Sequence, residues 1–437
     1  MSDIDTWIAL DRAHVWHPYT QQATAPVPLP IVSGQGAWLR GADGRNYLDL
    51  IASWWVSIHG HAHPVIARAI AEQAGRLEQV IFTGLTHEPA VRLAAALVKR
   101  LPEGLSRVFF SDDGSTAVEV AMKMACQYWR NQGEERGRFL VFEGGYHGDT
   151  VGAMSASRSS GFFEGYGRML FPVDSVPFPA TWDGDEAVAE KEARALEALE
   201  RYLESSGLGC VAMLVEPLIQ GAGGMRMCRP SFLAAVAGRL RQAGVLLIVD
   251  EVMTGFGRCG TLFACEKAGI APDLICLSKG LTGGFLPMAV TVCREGIYEA
   301  FLGETFDRAL AHGHSFTANA LGCAAALASL GLFETEQTLV RIAAIEAIHR
   351  ERLAALGRAV EFPRVMGVVA AMELALVDRG YGSRITPQLI QFFLDRGMIV
   401  RPLGAVLYLI PPYCISAEDL HRGWDGIDAA IRQFSHY

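Results

Sequence analysis

Apolar residues along this chain of 437 residues fall into two recurring patterns, short unbroken runs and longer stretches with three-to-four spacing. Residues 245–249 form an unbroken run closed by Asp250 and Glu251, and residues 274–277 form a second that leads into Ser278, Lys279 and Gly280. Each has the length and β-branched content of a strand buried on both faces. Asp250 and Lys279 are therefore predicted just past the carboxyl ends of strands in a parallel sheet, the edge at which open α/β sheets keep their ligands. A third run, residues 211–215, ends at Glu216 and Pro217. Residues 107–111 predict a short strand, after which Val118, Val120, Ala121, Met124, Ala125 and Tyr128 recur at helical spacing. The polar turn between them places Gly114, Ser115 and Thr116 at a helix start.

An acid and a lysine at neighbouring strand ends suit pyridoxal 5'-phosphate. That cofactor needs a lysine amine to bind its aldehyde and a carboxylate to keep its ring nitrogen protonated. An α/β protein can also carry an Asp or a Lys at a strand end with no such role. The helix start supplies free N–H groups and the positive end of a helix dipole, an anion site to which the Ser115 and Thr116 hydroxyls could add donors. An ordinary helix cap explains the same residues. Residues 142–150 concentrate glycine around Tyr146 and His147, either of which could stack on a flat ligand. A glycine-rich loop with a solvent-facing aromatic is the alternative.

Together, Gly114-Ser115-Thr116 at a helix start, the Tyr146-His147-Gly148-Asp149 stretch, Glu216-Pro217, Asp250-Glu251-Val252 with Gly255-Phe256-Gly257-Arg258, and Ser278-Lys279-Gly280 resemble the class III aminotransferases. These are pyridoxal-phosphate enzymes of fold type I, and the resemblance spans nearly the whole chain. It implies an α/β fold: a large domain with a mainly parallel sheet and helices on both faces, plus a smaller α+β domain from both chain ends. The implied division is 1–65 joining the small domain, 66–330 binding the cofactor, and 331–437 completing the small domain, with the seam in the helical region after Asn319. It also implies that Lys279 holds the cofactor and shuttles the proton, that Asp250 pairs with the pyridinium nitrogen, that Gly114 and Ser115 bind the phosphate, and that Tyr146 lies over the ring near the substrate. Glu216 resembles the active-site glutamate of the family; an acid at the start of the next helix is the structural alternative.

Further motifs narrow the resemblance: residues 15–20 with His17-Pro18-Tyr19-Thr20, residues 52–64 with Trp54-Trp55 and His59-Gly60-His61, residues 220–227, and residues 400–404 around Arg401. They resemble members that pass an amino group from S-adenosylmethionine to 7-keto-8-aminopelargonate in biotin biosynthesis, by ping-pong turnover. The acceptor is an apolar chain ending in a carboxylate, for which Arg401 offers a bidentate fork. The donor carries a sulfonium and a flat adenine, which favour aromatic surfaces. By the resemblance Tyr19 joins Lys279 in catalysis, Tyr19, Trp54, Tyr146, Gly313 and Arg401 contact substrate, and Trp55 packs. Arg258 resembles a family arginine near the substrate, with a surface ion pair as its alternative. Residues 312–316 stand where the family typically has a threonine that reaches the cofactor phosphate of the partner subunit. Ser315 keeps that hydroxyl, His314 replaces a residue often small or proline, and both are assigned to cofactor binding in a homodimer with shared active sites. Readings left open are lysine as donor, or a class III enzyme acting on ornithine, 4-aminobutyrate or a diamine. A nicotinamide-dependent dehydrogenase would need G-x-G-x-x-G after the first strand, which residues 112–116 lack.

With 51% hydrophobic residues the chain can bury a core large enough for two domains. A net charge of −9 without a basic run argues against nucleic acid. No apolar stretch has membrane length, and residues 1–6 lack a basic leader and an apolar signal core, so a cytosolic location is expected. Nine scattered cysteines without a C-x-x-C pair indicate neither disulfides nor a zinc site. His59, His61 and His63 alternate as on one face of a strand, but no carboxylate is near in sequence and Pro64 ends the run, so no metal is assigned. Residues 181–194, polar and then charged, read as a surface insertion, and no internal repeat is visible.

Overall fold

The computed structural model describes residues 3–376, 380 and 383–434. Its largest sheet has seven strands: β1 (Leu105–Ser111), β2 (Arg138–Phe142), β3 (Asp174–Val176), β4 (Cys210–Val215), β5 (Leu246–Asp250), β6 (Leu274–Leu277) and β7 (Ala289–Arg294). Their order across the sheet is β1-β7-β6-β5-β4-β2-β3. From β6 through β5, β4 and β2 to β3 every pairing is parallel, whereas β7 runs antiparallel to both its neighbours. The reason lies in the connection. Only eleven residues separate Leu277 from Ala289, too few for the crossover that a parallel return requires.

The unbroken apolar runs are explained by burial on both faces. Met213, Val215, Leu247, Val249, Ile275 and Leu277 belong to one core cluster. Their alternate neighbours Ala212, Leu214, Leu246, Ile248, Leu274 and Cys276 belong to another. A strand's two-residue period sends successive side chains to opposite faces, so each face needs its own cover. The helix Gly114–Asn131 covers the second face against β4, β5, β6 and β7, and the helix Pro230–Gln242 packs on β5.

The chain ends share one small sheet. Strands Ile31–Gln35, Trp38–Gly41 and Asn46–Asp49 form an antiparallel meander, and Met398–Ile399 adds to it in parallel, pairing Met398 with Leu48. A separate antiparallel sheet combines Glu361–Met366, Val369–Glu373 and Val406–Leu409. The helix Ala320–Thr335 begins at Asn319, whose side chain accepts from the Gly322 N–H at 3.0 Å, and it lies against helices Pro64–Ala74 and Glu88–Val98.

Two expectations are corrected here. The charged segment after residue 181 is no surface insertion: the helix Val188–Ser206 buries Ala195 and Leu199, one turn apart, in the main core and packs on Pro230–Gln242. The three alternating histidines do not share a strand face. His59 reaches Ser329, His61 reaches Asp49 at 2.8 Å, and His63 reaches Glu336 at 3.0 Å. Two of these partners, Ser329 and Glu336, lie 270 and 273 positions away in sequence, and Asp49 lies 12 positions away. No group of three or more candidate metal ligands occurs among the described residues, and no described helix is long and apolar enough to cross a membrane.

Two tests of this core follow from its buried groups. Ile248 is fully buried in the middle of β5, and Ile248→Ala is expected to cost about 2–5 kcal/mol, read as a lowered denaturant midpoint. Glu251, fully buried beyond β5, accepts from the Ala264 and Cys265 N–H groups at 2.7 Å each. Burial pushes its pKa from 4.5 up to about 7. The folded protein thus keeps a proton that the unfolded chain releases, so stability present below about pH 4.5 is lost as pH rises through about 7, on the order of 3 kcal/mol. Glu251→Gln is expected to flatten that decline in midpoints measured from pH 4.5 to 7.5; an unchanged slope refutes the assignment.

Candidate active site

Asp250 closes β5 and pairs in register with Cys276 of β6, so Lys279, two residues beyond Leu277, emerges at the same edge of the sheet. Lys279 opens a 3-10 turn, Lys279–Thr282, with φ of 39°, a left-handed conformation uncommon for a residue with a side chain. The Ser278 hydroxyl anchors the turn from one side by donating to the Met288 carbonyl at 2.8 Å. Above the edge lies a cavity of about 640 Å³, whose walls include Trp55, Gly114, Ser115, Tyr146, His147, Asp149, Glu216, Asp250 and Lys279. The part of Lys279 that remains exposed faces this cavity, and Nζ lies 5.4 Å from the Trp55 ring centroid. Among the described residues it has no ion-pair or hydrogen-bond partner. Burial lowers its pKa, against the pull of the Asp250 and Glu216 carboxylates.

Asp250 is held on two sides. One oxygen contacts His147 Nδ1 at 2.7 Å and the other accepts from the Val252 N–H at 3.1 Å. His147 is itself buried, and its backbone N–H donates to Ser157 Oγ at 2.7 Å. Glu216, just past β4, accepts from the Tyr146 and Gly221 N–H groups at 2.9 Å each. Burial pushes its pKa up to about 7, with His147 opposing the shift and Asp250 adding to it.

The helix Gly114–Asn131 begins with a reciprocal cap. Asp113 accepts from the Thr116 N–H at 3.0 Å, while Thr116 Oγ1 accepts from the Asp113 N–H at 3.1 Å. The Thr116 hydroxyl also donates to the Asp113 carbonyl. It is thereby committed to the cap rather than free for a ligand, which settles the two readings of this residue. Gly114 and Ser115 line the cavity at the unpaired first turn. Ser115 Oγ stands 2.7 Å from Thr150 Oγ1 and accepts from the Thr150 N–H at 3.0 Å. Gly148, at φ 126°, has to be glycine: a Cβ there would lie 2.4 Å from Ser115 Oγ. At Gly114 a Cβ would meet Val252 at 2.6 Å.

A second pocket of about 300 Å³ adjoins the first, sharing Trp55, Tyr146, Asp149, Ala222 and Lys279 with it. Its remaining walls include Tyr19, Trp54, Phe162, Arg401 and Tyr408. Tyr19 and Tyr146 donate their phenol protons to the same oxygen of Asp149, at 2.7 and 2.9 Å. Trp54 stands edge-on to Tyr19 with centroids 5.9 Å apart, and the Arg401 guanidinium lies 4.7 Å from the Trp54 centroid. Trp55 is buried and donates to Tyr408 Oη at 3.2 Å, yet its ring also lines both cavities.

The structure thus brings together Lys279, Asp250, Gly114, Ser115, Tyr146, Tyr19, Trp54 and Arg401. Four other residues stand apart. Arg258 is 1% exposed, donates to the Trp55 carbonyl, and lies 5.6 Å from the Tyr413 ring. It makes no ion pair among the described residues and supports Trp55 from below, while its buried Nη1 has no hydrogen-bond partner among them and its charge adds to the lowering of the Lys279 pKa. Gly313, His314 and Ser315 are absent from both linings of this single chain. His314 instead contacts His312, Nε2 to Nε2 at 3.2 Å, and faces Asp112 at 3.6 Å. Two groups in the site were not assigned from sequence, Asp149 as acceptor for both tyrosines and His147 as partner of Asp250. Both stand in the glycine-rich stretch that drew attention, but only the three-dimensional pairing shows what they do.

The donor set fits a flat phosphorylated aldehyde with a basic ring nitrogen: a lysine whose pKa is depressed, an anchored carboxylate on the same edge, and a glycine-lined helix start at the other end. Residues 19–431 match the family model described as aminotransferase class-III. The adenosylmethionine-8-amino-7-oxononanoate aminotransferase of Synechococcus elongatus is 54% identical, over 93% of this chain and 96% of its own length. The crystal structure of the same-named enzyme from Methanocaldococcus jannaschii has a TM-score of 0.91 and 34% identity, with 99% of each chain covered. An amine transaminase from an uncultivated Pseudomonas species, solved in a PLP-bound form, is 30% identical with a TM-score of 0.90, covering 96% of this chain and 98% of its own. By its motifs, its sheet and these matches, the chain belongs to the class III aminotransferases and has the fold type I architecture of the pyridoxal-phosphate transaminases.

Proposed function

We propose that this protein transfers the amino group of S-adenosylmethionine to 7-keto-8-aminopelargonate, also called 8-amino-7-oxononanoate, forming 7,8-diaminopelargonate for biotin. The observation that carries this reading is the second pocket, an aromatic enclosure that opens on Lys279 and has a guanidinium, Arg401, in its wall. The name of the 54% identical relative supports it.

The cofactor is pyridoxal 5'-phosphate, which supplies an electron sink for the charge left when the carbon bearing the amine loses its proton. This chain's residues do the rest. Gly114 and Ser115 hold the phosphate at the helix start. Asp250, kept in place by His147, holds a proton on the ring nitrogen. Tyr146 covers the ring. Lys279 binds the cofactor and, once released, takes the substrate proton at Nζ and gives it back, a task for which burial favours the required neutral amine. Arg401 receives the acceptor's carboxylate, while Tyr19 and Trp54 receive the donor's sulfonium against their rings. Asp149 holds both phenols in the wall of the second pocket. Arg258, beneath Trp55 and close to Lys279, stands near the substrate with its Nη1 available.

The working unit in this reading is a homodimer in the cytosol, in which Gly313, His314 and Ser315 serve the partner's phosphate and substrate sites. Their absence from the cavities of their own chain supports that, as do Phe306 and Phe316, 78% and 61% exposed on the same segment. The free state of all nine cysteines agrees with a reducing compartment. Residues 1–65 and 331–437 act as one small domain beside 66–330, a division supported by the parallel pairing of Met398–Ile399 with Asn46–Asp49.

Two measurements test the assignment. Adding S-adenosylmethionine alone to the pyridoxal-phosphate protein is expected to convert the visible absorbance of the lysine-bound cofactor to that of pyridoxamine phosphate, whereas Lys279→Ala protein folds but does not turn over. A spectrum that ignores S-adenosylmethionine and answers to lysine overturns the donor. Arg401→Ala is expected to raise the KM for 7-keto-8-aminopelargonate by about 10–100-fold with a smaller change in kcat, the cost of a charge-assisted hydrogen bond. An unchanged KM removes Arg401 from the acceptor site.

A further inference from the structure

Lys279 sits in a turn that its own backbone disfavours, so surrounding contacts must hold it there. The holding point is the next peptide. The Gly280 carbonyl accepts from the Gly283 N–H at 3.0 Å and from the Ser329 hydroxyl at 3.3 Å. Ser329 is fully buried on the helix Ala320–Thr335, and His59 Nε2 lies 3.2 Å from its oxygen. A carbonyl only accepts, so the single proton of Ser329 points to Gly280. His59 must then be the donor through Nε2–H, which selects its tautomer. Burial drops the His59 pKa to about 4, leaving the ring neutral near pH 7. Edge contacts with Phe333 and Tyr413, at 5.3 and 6.4 Å, wedge the ring in place. The turn packs closely against these groups: a Cβ at Gly283 would lie 2.7 Å from Ile66, 3.4 Å from His59 and 3.5 Å from Ser329 Oγ.

We propose that Ser329 and His59 are positioning residues for Lys279, a donor relay from imidazole through hydroxyl to the Gly280 carbonyl that keeps the lysine's turn in its left-handed form. Neither residue lines the cavity, so neither touches substrate or cofactor. The inference rests on Lys279 being the cofactor-binding lysine, but the first of its tests does not need cofactor. In the full chain freed of pyridoxal phosphate, Ser329→Ala is expected to speed hydrogen exchange of the segment 278–284 on the order of tenfold while the rest of the helix Ala320–Thr335 exchanges as before.

In the loaded enzyme the same variant is expected to lower kcat on the order of tenfold, to leave both KM values within about twofold, and to move the pH at which the absorbance of the lysine-bound cofactor titrates. His59→Leu should reproduce these changes. His59→Gln, which keeps an N–H donor, should restore most of the loss. The double variant Ser329→Ala/His59→Leu should lose no more than Ser329→Ala alone. If Ser329→Ala does not fold, the contrast between His59→Leu and His59→Gln decides the matter. Unchanged exchange at 278–284 with an unmoved absorbance titration overturns the relay. Loss of lysine-dependent absorbance from the unaltered protein would overturn instead the reading of Lys279, and leaves the exchange result to stand by itself.

Discussion

The arrangement depends on anchoring a carboxyl group where water is scarce. Asp250 is 5% exposed, and a polar group in such a place is costly to bury unless hydrogen bonds compensate. His147 and the Val252 N–H supply that compensation. The requirement then spreads outward. For His147 to reach Asp250, the glycine-rich stretch must fold down onto the sheet edge, and Glu216 ties it there through the Tyr146 N–H. For Asp250 not to drift, β5 must be clamped by parallel neighbours on both sides, as it is by β4 and β6. Carboxyl placement and sheet topology are one problem solved together.

Strain accompanies this placement. Tyr19, Trp55 and Lys279 all have positive φ and all line the pockets, and Ala52 and Ser53 share that conformation just before the tryptophan pair. Positions of this kind cost on the order of 1–3 kcal/mol each and survive only where the surroundings over-determine them. Here the surroundings are the buried core: Arg258 grips the Trp55 carbonyl, Tyr408 takes its indole proton, and the Gly280 carbonyl is held by two donors. The site therefore draws on packing stability well outside its own walls, which is why a residue such as Arg258 belongs to the site without lining it.

Much of this was legible in the residues. Runs at 211–215, 245–249 and 274–277 became β4, β5 and β6, because a strand covered on both faces must be apolar at every position. The helix after Gly114 followed from its three-to-four spacing. The antiparallel course of β7 was not legible, since direction depends on the length of the connection and not on the strand's own composition. The partner of Arg258 was not legible, because a guanidinium is usually outside and nothing local signals that a carbonyl 203 positions earlier in the chain awaits it. The alternating histidines looked partnerless for the same reason: Asp49 and Glu336 reach them only through the fold. Asp149 stood inside a recognised motif, but its role is a relation to Tyr19, which lies 130 residues away.

In the proposed function the second pocket serves two molecules of opposite character, and it presents both a carboxyl and a guanidinium to them. Asp149 faces it from one wall, with one oxygen taken by two phenols, and Arg401 faces it from another, resting near the Trp54 ring. A sulfonium benefits from the ring faces and from the nearby carboxylate. A fatty-chain acid needs the guanidinium and an apolar path to it. In the proposed function the Arg401 guanidinium, 4.7 Å from the Trp54 centroid, stands at the same ring that would receive the sulfonium. In that reading, alternation between substrates turns on which cation lies against that one aromatic surface.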